Sequence, residues 1–402
     1  MEKEINPAAS LVLDFGGSGA RGIGLKIKDG LGKPILLCLD PEVEPVHKES
    51  IDAYEAGTMG TTEPENRCWI AVGSEHYAIG TLARERFHAT PDLKPLKWED
   101  AVTKTLAAVW VLSYRLNLGN RFSIAIGALL PPGEYKNDSK RFESTLKESL
   151  SNFSTPSGRF KVKLEFFDCK PEGGGIYLHR RRTLKDLIKQ KVLAVVMIGH
   201  RNASILIANK GSVGEGITSD LGCNQLVDIF IRETSGTSDQ PKDRIITALV
   251  SAGASVESKP FLKLARSTSS HGKSQDVEQM VRAAHLARSE YFRALTRWID
   301  KILPLDRDEI VFCGGTAHLF RAELSARYID DEVLWDAEIE IPPTLETATL
   351  VSRLADVYGM YRTFRDRLTS RLGVTISSVE SADELDNSKK PTSKVTKSTA
   401  SS

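Results

Sequence analysis

Apolar and polar positions at the start of the chain alternate as three short strands. LVLDF is an apolar run, GGSGARG turns it, and GIGLKIK and KPILLCLD complete a predicted β-meander over residues 11–39. Residues 40–95 are irregular and rich in Pro, Glu and Thr, with one short strand predicted at CWIAVG. Val102, Leu106, Val109, Leu112 and Leu116 recur at helical spacing and predict a helix over 98–116. FSIAIGALLP then reads as a strand and RFESTLKESLSNF as a short helix. In RFKVKLEFFD, Phe160, Val162, Leu164 and Phe166 share one face, the period of a strand, which CKPEGGG ends. At 192–208 the opening theme returns as VLAVVMI, a tight GHRN turn and ASILIAN. A strand–Gly turn–strand unit therefore occurs twice, at 11–27 and 192–208, without detailed identity between the copies. Val277, Val281, Ala284, Ala287, Tyr291, Leu295, Trp298 and Ile302 predict a long helix over 274–303. EIVFCGGT is a strand running into a Gly turn, and Leu350, Leu354, Val357, Tyr361, Phe364 and Leu368 mark a closing helix. The polar, low-complexity residues after it are expected to be disordered, because they carry too little apolar surface to offset chain entropy.

Composition narrows the function classes. With Lys+Arg 54 against Asp+Glu 53 the net charge is +1, which argues against a general nucleic-acid binder. The longest apolar run, Val192 to Ile198, is far short of the ~18 residues of a membrane helix. MEKEINPAAS has no apolar stretch of the secretory kind, and the five cysteines form no CxxC pair. Reduced thiols in a cytoplasm are the expectation.

Four motifs offer chemistry. In LVLDFGGSGARG, Asp14 ends an apolar strand before Gly16, Gly17, Ser18 and Gly19. Glycines let backbone N–H groups approach an anion, Asp14 suits Mg²⁺ held through water, and Arg21 suits a phosphate oxygen. An ordinary Gly-rich hairpin has the same composition. IGHRN places Gly199, His200, Arg201 and Asn202 in the matching second turn, where a polar surface turn is the plain alternative. FCGGTAHLF runs a buried strand into Gly314, Gly315 and Thr316 before a helix expected from about Ala317. That arrangement suits a phosphate or the flat face of a base, or simply connects strand to helix. In CKPEGGG, Glu172 sits on a loop from which a carboxylate can orient water towards a γ-phosphate, although a loop Glu is usually just solvated.

Taken in order, these blocks resemble the actin-like ATPases, and among them the bacterial plasmid-segregation actins of the ParM/StbA family. LVLDFGGSGARG is similar to the first phosphate loop, KPEGGGIYL to the loop carrying the hydrolytic glutamate, and IVFCGGTAHLF to the adenosine motif. IAVGSEHYAIGTLA, ITSDLGCNQLVDIF and ADVYGMYRTF are weaker matches. The resemblance spans roughly residues 10–370. One departure is chemical. Met197 stands where the second phosphate loop of the family begins with an acid, and His200, Arg201 and Asn202 replace its small residues. Nucleotide binding is therefore a firmer expectation than fast turnover.

The resemblance implies an α/β, actin-like two-lobed fold with duplicated β-hairpin phosphate loops and a central nucleotide cleft. It places residues 1–180 in a first lobe with an inserted subdomain at about 40–95, and 181–345 in a second with an insertion at about 217–290. Residues 346–372 would form a helix returning to the first lobe, and 373–402 a disordered tail. The implied ligands are ATP or GTP with Mg²⁺, positioned by Asp14 through water, and Glu172 is the implied catalytic residue. The implied partners are further copies of the chain in a filament and a small DNA-binding adaptor, with no direct nucleic-acid or integral membrane contact. Two alternatives stay open: a cytoskeletal or cell-shape filament scaffold with slow hydrolysis, and a small-molecule kinase of the same fold. The kinase would need a general-base Asp over a substrate hydroxyl, and the phosphate loops offer no candidate for it.

Overall fold

The computed structural model describes residues 5–27, 31–60, 62–90, 96–237, 239–345 and 350–373. The tail expected beyond 373 lies outside them. The apolar run at the start forms β1 (Ala9–Gly16), which hairpins into β2 (Gly19–Lys26) and on to β3 (Ile35–Leu39). The next stretch holds β4 (Val43–Val46), α1 (Lys48–Gly57), β5 (Trp69–Val72), β6 (Glu75–Ile79) and α2 (Thr81–Phe87), so more of 40–90 is regular than its composition predicts. Then come α3 (Lys97–Leu116), β7 (Arg121–Leu130), α4 (Pro132–Ser151), β8 (Phe153–Thr155), β9 (Gly158–Pro171) and α5 (Gly174–Leu184).

The second half opens with the hairpin β10 (Val192–Ile198) and β11 (Ala203–Asn209), followed by β12 (Ser212–Val213) and β13 (Ile217–Ser219). Helices α6 (Cys223–Arg232), α7 (Lys242–Ala252) and α8 (Ser270–Ile302) lead to β14 (Glu309–Cys313). The chain closes with α9 (Gly315–Leu319), α10 (Arg321–Arg327), β15 (Val333–Trp335) and α11 (Val351–Leu372).

Among the described residues the strands build two sheets, ordered β3-β2-β1-β7-β9-β8-β5-β6-β4 and β12-β11-β10-β14-β15, with β13 on β11. Each sheet repeats one device. The hairpin β1–β2 is antiparallel while β1 runs parallel to β7, and the hairpin β10–β11 is antiparallel while β10 runs parallel to β14. The parallel strands carry helices on both faces, the usual way such sheets are covered. Trp110, Val109 and Leu112 of α3 are buried with Leu11, Leu13 and Ile126 on one face of the first sheet. On the other face Leu354, Val357, Met360 and Phe364 of α11 pack against Val12, Ala125 and Leu129. The second sheet buries Val196 and Phe312 against Phe230 of α6 and Tyr291 of α8.

Among the elements that differ from expectation are α4 and α5. α4 starts at Pro132 rather than near Arg141, because a proline suits the first helical turn, where its missing N–H loses nothing. α5 forms where only a loop is predicted. Its apolar residues Ile176, Tyr177 and Leu178 are consecutive, so the sequence has no helical period to show. No helix among the described residues is long and apolar enough to cross a membrane.

Candidate functional site

In open α/β sheets ligands gather at the carboxyl ends of parallel strands, and here the ends of β1, β9, β10 and β14 converge on one cleft of about 940 Å³. Asp14 lies at the end of β1, paired in register with Arg21 on β2; Gly16 pairs with Gly19, leaving Gly17 and Ser18 at the tip. Arg21 Nη2 donates to Ser18 Oγ at 3.0 Å. A Cβ on Gly16 would come within 2.9 Å of the Gly19 carbonyl oxygen and 2.8 Å of Arg21 Nη1, so a side chain there would displace the hairpin backbone as well as the folded-in guanidinium. Asp14 is buried, and its Oδ1 has no hydrogen-bond partner. Burial, then the nearby Glu172, pushes its carboxyl up to about 6, against the pull of Arg21 and Lys97.

The second turn is tied from behind. Gly199 N donates to Asn202 O at 2.9 Å, and the Gly199 carbonyl accepts from Cys223 N at 3.1 Å and from Thr316 Oγ1 at 2.8 Å. The His200 carbonyl accepts from Asn224 N at 3.0 Å. With carbonyls held by α6 and α9, this turn is fixed in place. Burial, aided by Arg353, Lys242, Lys97 and Arg21, depresses the His200 imidazole to about 4, so it is neutral at pH 7. Gly314 makes the turn from β14 into α9 at φ 93°, and a Cβ there would meet Ile198 O at 2.5 Å. No other residue type fits that position without displacing the hairpin.

Glu172 follows β9 and is anchored by its N–H on Leu130 O at 2.7 Å. Its carboxylate is buried and ion-paired with Lys97 Nζ, which also lies 3.4 Å from Asn202 Oδ1. The next backbone N–H groups are claimed by α11: Gly173 N and Ile176 N donate to the Asp356 carboxylate at 2.7 and 3.1 Å. Burial pushes Asp356 up to about 7, against those hydrogen bonds.

Every site residue expected from sequence lines this one cleft: Asp14, Gly16, Gly17, Ser18, Arg21, Glu172, Gly199, His200, Arg201, Asn202, Gly314, Gly315 and Thr316, with Met197 among them. Lys97, Asp356, Lys242 and Arg353 also line it, and sequence reasoning missed all four. The one local sign at Lys97 is a cation at the first position of a helix, against the helix dipole. Glu134 offsets that clash by accepting from Trp98 N at 2.9 Å. Carboxylates at the base and cations around the walls suit a polyanion that arrives with a cation of its own. No cluster of three or more His, Cys, Asp or Glu suited to a metal occurs among the described residues. The unpartnered Asp14 oxygen fits Mg²⁺, which keeps several waters and takes few protein ligands.

No protein-family model and no curated protein matches the sequence. Solved structures do match the fold. A 15-stranded ParM filament from Clostridium botulinum is similar at TM-score 0.56 and 12% identity, over 90% of this chain and all of that one (100%). A Bacillus thuringiensis ParM solved with ATP gives TM-score 0.55 and 13% identity over 89% of this chain and 100% of the other. The Alp12 filament structure gives 0.53 and 14% over 90% and 100%. With the repeated hairpin-and-parallel-strand device in both sheets, these likenesses show an actin-like fold of the ParM type.

Proposed function

We propose that this chain binds ATP or GTP with Mg²⁺ in the cleft and polymerises into filaments that hydrolyse the nucleotide slowly. The observation that carries this reading is the convergence of both hairpin tips, Glu172 and the Gly314–Thr316 turn on one cleft. The triphosphate lies between the tips, taking hydrogen bonds from backbone N–H groups of residues 16–18 and 200–202. The nucleoside lies towards Gly314, Gly315, Thr316 and α7. Asp14 would hold Mg²⁺ through water, and such an ion would supply neutralisation of the phosphate charge. Glu172 accepts a hydrogen bond from a water whose oxygen bonds to the γ-phosphorus as the bond to the β,γ-bridging oxygen breaks. A water proton moves towards Glu172, and nucleoside diphosphate and phosphate leave.

The fold of the chain is that of proteins solved as filaments, which supports self-assembly here. Cargo is DNA reached through a small DNA-binding adaptor, since a net charge of +1 does not favour direct contact. The setting is the cytoplasm. One observation favours a slower, scaffold-like variant: a thioether at Met197 is a poor ligand for Mg²⁺ and a weak acceptor for water. Electron microscopy of the purified chain with and without Mg-ATP or Mg-GTP tests the reading. Filaments should form only with nucleotide; amorphous or unchanged material in every sample would count against it.

A further inference from the structure

Lys97 stands out among the cleft residues because its ammonium joins elements from both sheets. It begins α3, which packs on the first sheet; it is ion-paired with Glu172 after β9, and it reaches Asn202 in the turn of the second sheet at 3.4 Å. The side chain is 8% exposed, so this is a buried charge on a buried carboxylate. A lysine in the first turn of a helix opposes the dipole, which gives no local reason for it to be there.

We propose that Lys97 is a nucleotide-sensing clasp that holds Glu172 while the terminal phosphate site is empty and transfers to the γ-phosphate when a triphosphate enters. This rests on the nucleotide reading of the cleft. A phosphate seated between the hairpin tips arrives beside Asn202 and Glu172, where the ammonium already is. It carries more charge than the carboxylate and offers more acceptor oxygens, so it competes for the same donors. Transfer has a consequence for Glu172. A carboxylate engaged by an ammonium is a poor acceptor for the proton of a water, and one released from it is a better one. The same residue therefore adds affinity for the triphosphate over the diphosphate and ties release of the hydrolytic carboxylate to arrival of the γ-phosphate. Met197 suits this arrangement, because an acid there would be a further competitor for the ammonium.

The test is calorimetric binding of Mg-ADP and of a non-hydrolysable Mg-ATP analogue, with the guanine pair in parallel, to the full chain and to Lys97→Gln and Glu172→Gln. Lys97→Gln should lose about tenfold in affinity for the triphosphate analogue while changing little towards the diphosphate. Glu172→Gln, which frees the ammonium, should gain affinity for the triphosphate analogue alone. An unchanged preference for triphosphate in Lys97→Gln would overturn the clasp. If that variant does not fold, as its melting curve would report, equal or weaker triphosphate binding by Glu172→Gln overturns it instead. Failure of the parent chain to bind any of the nucleotides would be a different result and would remove the nucleotide reading itself.

Discussion

In the proposed function, Met197 and Glu172 would set the chemistry at the scale of single residues. With a thioether near the end of β10, water activation would then rest on Glu172, whose side chain is buried in the cleft. Glu172→Gln keeps the size of the side chain and removes the proton-handling carboxylate along with its charge. Phosphate release should fall by about 10²-fold, the scale for losing one positioned acid–base group, while filaments still form and last longer. Release at the parental rate would place the catalytic group elsewhere. Asp356 gives a pH signature. Its carboxyl is raised from an ordinary 3.8 to about 7. Between those values the folded chain keeps a proton that the unfolded chain has lost, so this group stabilises the fold below about pH 4 and loses that contribution as pH rises towards 7. Asp356→Asn cannot titrate. Denaturant unfolding at several pH values should show the variant gaining on the parent through this window, by up to about 1.4 kcal/mol per pH unit. Parallel curves would contradict the assignment. Asp14, Glu172 and the glycines were legible because each ends a readable strand or turn. Lys97 and Asp356 were not, because they enter from elements distant in sequence, and no local pattern marks a residue that works across the fold.

At the scale of elements, the key junction is the crossing of α5 and α11. A Cβ on Gly175 would lie 1.9 Å from Asp356 O, and one on Gly359 would lie 2.3 Å from Gly175 O. The helices touch backbone to backbone, which lets Asp356 cap the start of α5 and fix the loop that carries Glu172. Gly175→Ala should therefore lower unfolding free energy by about 3 kcal/mol through overpacking. Gly133→Ala, in the first turn of α4 with nothing within 4 Å, should be neutral or slightly stabilising. Equal effects in chemical denaturation would show that the crossing can relax. The two hairpins and the long helices α3, α8 and α11 were legible, since their apolar residues follow strand or helix periods. α5 was hidden because tertiary contact with α11 and capping by Asp356, rather than its own pattern, make it helical.

At the scale of the whole molecule, the repeated device brings one hairpin tip from each sheet to the same cleft. A nucleotide bound between them would hold both sheets at once, which would supply the link between occupancy and assembly that the proposed function needs. In the proposed function, Asp14 is the residue through which that link is most easily cut, because its unpartnered oxygen would be the group offered to Mg²⁺. The decisive measurement is high-speed pelleting of the parent chain and Asp14→Ala with no nucleotide, Mg-ATP and Mg-GTP. Nucleotide should move most of the parent chain into the pellet and leave Asp14→Ala, folded by its melting curve, in the supernatant. Pelleting of the parent to the same extent with and without nucleotide, or of Asp14→Ala as readily as the parent, would contradict the account.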